Sequence, residues 1–300
     1  LLDLSFEDVA EAVNELSRTS LISRELGLDE GDSYRLSDSI RDLLLVNPKN
    51  IEVRRRVSDV IKRRREIIQE HSNRQIQLGV TEFSEAYIEP NTNDSIKLLA
   101  VETNKLLAKG DVPFSDLQEL QRRYTEMESL SSSSYLFNYN FSRILLKLND
   151  VHGELSYLKS AEKLAPKSPR VKQAIAYRYF SNSQYKDAES YYADLISLGY
   201  GCSKKSDRRF AYRITKGYIQ SLLYQAKFSE VHKFTENWEK SEDCRELQGA
   251  YRASAFKRSI EHDINSNVAK TVAAVTEAIK ILGKVFSLEG YSFIGCNEAY

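Results

Sequence analysis

Residues 169–202, PRVKQAIAYRYFSNSQYKDAESYYADLISLGYGC, decide the fold. Within this stretch Ala176, Tyr179, Tyr185, Ala188 and Tyr192 follow the order small, large, large, small, large. Small side chains at fixed places let two helices approach closely, and large ones fill the groove between them. The stretch therefore reads as a helix pair. One period earlier, Ser142, Leu145, Val151, Glu154 and Leu158 take the same places, and Ala161-Glu162-Lys163-Leu164-Ala165-Pro166 closes that copy with a helix-breaking proline. Glu154 fits a small position poorly, so the earlier copy is degenerate.

Working outward, Gly217, Tyr218, Leu222, Phe228 and Val231 mark a third pair. Its first helix is expected over 208–225, and its second should include Phe234 and the lone tryptophan, Trp238. A fourth pair is expected over 247–262 and 268–286. Upstream, 116–130 reads as the second helix of a worn leading pair, followed by a serine turn at 131–134. A period of about 34 residues with this small–large order resembles the tetratricopeptide repeat. That resemblance implies stacked pairs, each covering its neighbour's apolar side, with an inner groove suited to a peptide. Tyrosine combines a large contact area with a polar tip. Tyr177, Tyr191, Tyr212, Tyr224 and Tyr251 are not all required by the repeat and are the candidate groove residues; packing in the core is the competing assignment. A carboxylate clamp would draw on Lys172, Arg178, Lys204 and Arg213, whose spacing matches that pattern poorly.

The chain opens differently. Ser5 and Asp8 form a capping-box pattern ahead of Val9, Ala12, Val13 and Leu16, predicting a helix over 5–17. Leu21-Ile22 and Tyr34-Arg35-Leu36 read as two short strands around a turn at 27–32. Ser37 caps a second helix reaching Val46, and Pro48 closes it. Helix, hairpin, helix is the C-terminal half of a winged helix. DNA reading is disfavoured, because Glu7, Asp8, Glu11 and Glu15 make the first helix acidic and repel phosphate.

The segment 34–42, YRLSDSIRD, resembles the end of the winged-helix subdomain of STAND NTPases, signal-transducing ATPases that include immune sensors. Leu36, Asp38, Ile40, Arg41 and Asp42 are kept, while Ser37 stands where that family has histidine. The resemblance implies that Ser37 occupies a nucleotide-sensing place buttressed by Asp38. It implies ATP or ADP with Mg only for a full-length protein, and no cofactor in this fragment. The alternative is local: Ser37 is an N-cap and Asp38 a first-turn acid favoured by the helix dipole.

From 49 to 113 the residues read as a helical connector. Val53, Val57, Val60, Ile61 and Ile68 share one face. Arg54-Arg55-Arg56 and Lys62-Arg63-Arg64-Arg65 spread around the same helix, and Asp59, Glu66 and Glu70 are expected to pair with them. A second helix is expected over 93–109, with Ile96, Leu99, Leu106 and Leu107 buried. Pro90 and the 110–113 segment are breaks.

The chain carries 43 basic and 43 acidic residues, so no net field recruits nucleic acid or membrane. Cys202, Cys244 and Cys296 lie far apart without metal-ligand spacing, which favours a reducing cytoplasm. There is no phosphate-cradling P-loop, no bilayer-length apolar run and no histidine cluster, so an enzyme is not expected. The absence of an initial methionine suggests a fragment. The expected fold is mainly α: a partial winged-helix subdomain (1–48), the connector (49–113) and a tetratricopeptide-like α-solenoid (114–300). By resemblance it is the regulatory C-terminal region of a STAND-type immune sensor. Its partners would be a trigger protein or peptide, such as one from a phage, and upstream nucleotide-binding and effector domains. A homo-oligomer would form on activation, with no specific nucleic acid and no membrane. Alternatives are a tetratricopeptide adaptor binding a partner peptide, and the inducer-binding region of a STAND transcriptional regulator.

Overall fold

A computed structural model describes residues 6–19, 21–26, 32–201, 207–241, 244–262 and 267–289, which are mainly helical. The chain divides into two compact units, 1–166 and 167–300.

The first unit begins with α1 (Phe6–Arg18), strands β1 (Ile22–Leu26) and β2 (Asp32–Leu36), and α2 (Asp38–Val46). The strands pair antiparallel from Ile22↔Leu36 to Leu26↔Asp32. They are longer than apolar alternation indicated, because the backbone ladder continues toward the turn whatever the side chains. The expected cap Ser5 and the turn tip at 27–31 lie outside the described residues. The Ser37 amide donates to Leu21 O at 3.2 Å, and Ser37 O accepts from the Ile40 and Arg41 amides, so this residue joins hairpin to helix.

Pro48 starts a single 3-10 turn, Pro48–Asn50, capped by Asn47, and α3 (Ile51–Gln77) follows directly. No residue of α3 is fully buried. Arg56 pairs with Glu52 at 2.7 Å. The expected pairing of Asp59, Glu66 and Glu70 with the arginines does not occur among the described residues. Exposed pairs of this kind gain about 0–1 kcal/mol, little against the entropy of two long side chains.

The core of this unit is built by α4 (Asp94–Leu107), α5 (Phe114–Ser131), α6 (Tyr135–Lys147) and α7 (Val151–Leu164). Ile96 and Leu99 are buried as expected, while Leu106 and Leu107 are only partly covered. Tyr124 stacks on Phe141 with ring centroids 4.9 Å apart and planes 11° apart. Its hydroxyl shares a 2.8 Å hydrogen bond with Thr103 Oγ1, which satisfies the polar tip inside the core.

The second unit contains α8 (Pro169–Ser181), α9 (Tyr185–Ser197), α10 (Arg208–Tyr224), α11 (Phe228–Phe234), α12 (Arg245–His262) and α13 (Val268–Glu289). Ala176, Ala188 and Tyr192 are buried, as the repeat pattern requires, while Tyr179 and Tyr185 are half-buried.

A common turn joins three helix pairs, α6–α7, α8–α9 and α10–α11. Asn149, Ser183 and Ala226 have φ of 60°, 59° and 55°. In each case the next amide reaches back to the helix: Asp150 N to Leu145 O, Gln184 N to Tyr179 O, and Lys227 N to Leu222 O, at 2.9, 2.9 and 3.0 Å. This left-handed closure satisfies carbonyls that the helix end would otherwise leave open. The three pairs thus share one kind of closure, independent of side-chain identity, and the same closure ends α3 at Gly79 and α9 at Gly199.

Close approach is the second shared device. A Cβ on Gly217 of α10 would lie 2.2 Å from Tyr192 Cζ of α9, and one on Gly249 of α12 would lie 2.6 Å from Val285 of α13. Glycine is required where an aromatic ring or branched side chain rests directly on helix backbone.

One element departs from expectation. The second helix of the third pair was expected to carry Phe234 and Trp238 together, but α11 stops at Phe234 and Trp238 begins a separate 3-10 turn. The Arg252 guanidinium takes His232 O at 2.6 Å, the carbonyl that the Glu236 amide would use to extend the helix. That amide turns to Lys233 O instead, at 3.3 Å. Cys244, buried ahead of α12, is disulfide-bonded, which removes cysteine usage as an argument for a reducing compartment. Among the described residues, no helix is long and apolar enough to cross a membrane.

Two substitutions should move stability in opposite directions. Gly217→Ala should destabilise by about 2 kcal/mol through overpacking against Tyr192. Ala226→Gly should stabilise by about 1 kcal/mol by relieving a left-handed residue. Urea unfolding midpoints of the two variants check both signs.

Candidate functional site

The solvent face of α10 is set by what its other face buries. Phe210, Ala211, Ile214, Gly217, Leu222 and Leu223 turn inward. Arg209, Arg213, Lys216, Gln220 and Tyr224 recur at helical spacing on the remaining side. Arg209, Lys216 and Tyr224 are exposed; Arg213 and Gln220 are half-buried. Arg209 and Lys216 make no ion pair among the described residues.

Tyr192 links this face to α8. Its ring end lies against Gly217, and burial raises its hydroxyl pKa, with Tyr177 adding to the rise and Arg213 opposing it. Tyr177 of α8 and Arg213 of α10 both act electrostatically on this buried hydroxyl, and α8 packs against α10. Tyr177 is 52% exposed and stacks on no described ring. Together these residues form a surface with two exposed aromatic side chains, Tyr177 and Tyr224, and a basic row.

The five predicted tyrosines separate into distinct environments. Tyr177 is open. Tyr224 is equally exposed, but its ring stacks on Tyr185 at 4.8 Å and 12°, meets Phe180 at 5.7 Å, and has the Arg258 guanidinium 5.6 Å from its centroid. Its faces are thus engaged within the chain, leaving edge and hydroxyl outward. Tyr191 is half-buried against Tyr179 at 5.8 Å, with Lys172 6.0 Å above it. Tyr212 is partly buried beside the core of α10, α11 and α12.

Tyr251 is a core residue, 7% exposed, and its hydroxyl accepts from Gln220 Nε2 at 2.9 Å. A tyrosine can satisfy its polar tip under a helix face as well as outside it. Spacing alone does not separate the two.

The carboxylate clamp does not assemble. Lys172 pairs with Asp194 at 3.2 Å, Arg178 is buried, and Lys204 lies outside the described residues. Arg213 alone reaches the α10 face. Another interaction, unanticipated from sequence, fixes the α9–α10 edge: Glu189 accepts from Lys227 Nζ at 2.7 and 2.9 Å and from Gln225 Nε2 at 2.6 Å. This raises the Lys227 pKa and holds the turn carrying Ala226.

Sequence reading overlooked Arg209, Lys216 and Gln220. Their signal was present as a polar stripe threading the apolar positions of 208–224. At the other end of the chain, Ser37 and Asp38 are both exposed, and Asp38 pairs with Arg41 at 3.0 Å. Among the described residues, no group of three or more His, Cys, Asp or Glu side chains is placed to hold a metal.

No family model matches the chain, and no curated protein matches it. Among solved structures it is similar to YrrB, described as a TPR protein with an unusual peptide-binding site. The TM-score is 0.48 and the identity 11%, over 68% of this chain and 91% of that one. The helix-pair repeat in this chain rests on its own geometry, namely the recurrent turns and the Tyr192–Gly217 interlock.

The tyrosine environments differ enough to be measured. Tyr224→Ala should lower stability by about 1 kcal/mol through loss of its ring contacts. Tyr177→Ala should stay within about 0.5 kcal/mol of the parent, as expected of an open surface position. Chemical denaturation followed by helical circular dichroism gives both values.

Proposed function

We propose that this chain is a tetratricopeptide-like binding module that takes an extended acidic peptide along α8 and α10. The observation carrying this reading is the row Arg209–Arg213–Lys216 beside open Tyr177. The row from Arg209 to Tyr224 spans roughly 22 Å at 1.5 Å per residue. That length faces about six or seven residues of extended peptide. The cations favour and steer an acidic segment, while an apolar or aromatic peptide side chain against Tyr177 supplies the anchor. The chain is neutral overall, so attraction on this face is local.

Selection from a displayed peptide library tests the reading. The parent should enrich peptides with several acidic residues around one large apolar residue. Lys216→Glu and Tyr177→Ala should lose that enrichment while keeping parental helicity. Equal enrichment by the parent and both variants would count against this surface.

A second reading is favoured by the order α1, β1, β2, α2 followed by helix pairs. In that reading the chain is the regulatory region of a STAND-type sensor, with Ser37 and Asp38 near bound ADP in a longer protein. The array would recognise a trigger protein, such as one from a phage, and control an upstream nucleotide switch and effector. The trigger would have to bind the active form more tightly than the resting one, since equal affinity shifts no population. The reading frame upstream of Leu1 decides this. A P-loop there supports the switch, and a start codon without one retires it in favour of a free-standing adaptor.

A further inference from the structure

The first unit contains a cleft where the C-terminal half of α3 faces α4. Its volume is about 270 Å³, and most of its lining is apolar, including Ile67, Val80 and Ala86. Its outer wall is the 78–93 segment, held at two points by amide side chains. Gln75 makes a two-pronged contact with the Ile88 backbone, donating Nε2 to Ile88 O at 3.1 Å and accepting from Ile88 N at 3.0 Å. Asn104 Nδ2 donates to Ala86 O at 2.8 Å, while Asn104 Oδ1 accepts from Arg143 Nη1 at 2.7 Å. The wall is thereby fixed by the helices before any occupant arrives, which lowers the ordering cost of binding.

Three basic side chains converge on this apolar space: His71 and Arg74 from α3, and Lys105 from α4. Glu70 is the one carboxylate in the lining. Neither Arg74, Lys105 nor Glu70 makes an ion pair among the described residues. Two permanent cations thus remain unneutralised beside a preformed apolar cleft, and the histidine can add a third positive charge.

We infer that this cleft is a binding site for a small organic anion, a carboxylate or phosphate carried on an apolar body. The anionic head meets Arg74, Lys105 and His71, and the body lies on Ile67, Val80 and Ala86. The volume is just below the range of about 300–1,000 Å³ that suits drug-sized ligands, so the occupant is smaller than those. Arg74 can hold a carboxylate or phosphate with two parallel donors, and Lys105 adds a point charge.

The site has a proton-linked signature. Burial, then Lys105 and Arg74, hold the His71 pKa below its ordinary value of 6.5. The charged groups lining the cleft around it are Glu70, Arg74 and Lys105. An anion in the cleft favours the imidazolium, so binding must raise the His71 pKa. By linkage, the anion binds more tightly as pH falls through the histidine range.

The test uses the whole chain with benzoate and phenyl phosphate as probes and benzamide as the uncharged counterpart of benzoate. His71 is titrated by NMR of its imidazole with and without each compound. The expected result is a raised His71 pKa with at least one anion and none with benzamide. Lys105→Gln and Arg74→Gln, both at exposed positions, should each weaken anion binding about tenfold, as expected for loss of a charge-assisted contact. The inference is overturned if neither anion moves His71, if benzamide moves it equally, or if both variants bind as the parent does. The peptide face on α8 and α10 is untouched by these changes, so either proposal can fail alone.

Discussion

The contact on which the second unit depends is the seat of the Tyr192 ring on bare backbone at Gly217. A methyl group there would enter the ring, so α9 and α10 can approach this closely only because one position lacks a side chain. That approach points Phe210, Ile214 and Leu222 inward and leaves Arg209, Arg213 and Lys216 outside. A single large-on-small contact thereby determines both the core and the composition of the surface above it. Gly249 serves α12 and α13 in the same way, beneath Val285 and Trp238.

Surface charge needs to be read locally. The chain has equal numbers of acids and bases, yet helix geometry segregates them. On α9 and its neighbouring turn, Glu189 is consumed by Lys227 and Gln225. On α10 the cations Arg209 and Lys216 are left without such neighbours among the described residues. On α3 and α4 the same imbalance occurs around an apolar cleft, where it has different consequences because the space is concave and pre-shaped. Aromatic side chains divide similarly. The Tyr224 ring is enclosed by Tyr185, Phe180 and Arg258 and serves as a structural clasp, whereas Tyr177 is left open.

The helix pairs were legible because their determinants are local: small residues at Ala176 and Ala188, a large one at Tyr192, and Pro166 between copies. The hairpin near the start was legible from its turn residues, although the strand lengths were not. Other features depended on partners far along the chain. Nothing near Phe234 reveals that Arg252 will take His232 O and stop α11. Tyr251 looks like any surface tyrosine until Gln220 is seen to meet its hydroxyl. The cleft was invisible for the same reason, since it needs Gln75 and Asn104 to capture the backbone of one distant segment. Serine and alanine at the left-handed turn positions also concealed the recurrence, because glycine is the residue normally expected there.

The most extensive helix contacts join immediate neighbours: α6 with α7, α8 with α9, α9 with α10, and α12 with α13. Such a molecule is assembled from pieces whose obligations extend only to the adjoining piece. Its genealogy is correspondingly free. Duplication or loss of an internal helix pair requires matching only the surfaces that adjoined it and leaves remote cores unaltered. The uneven separation of Asn149, Ser183 and Ala226 is compatible with that freedom, since the closing turn persists while the distance between successive copies drifts.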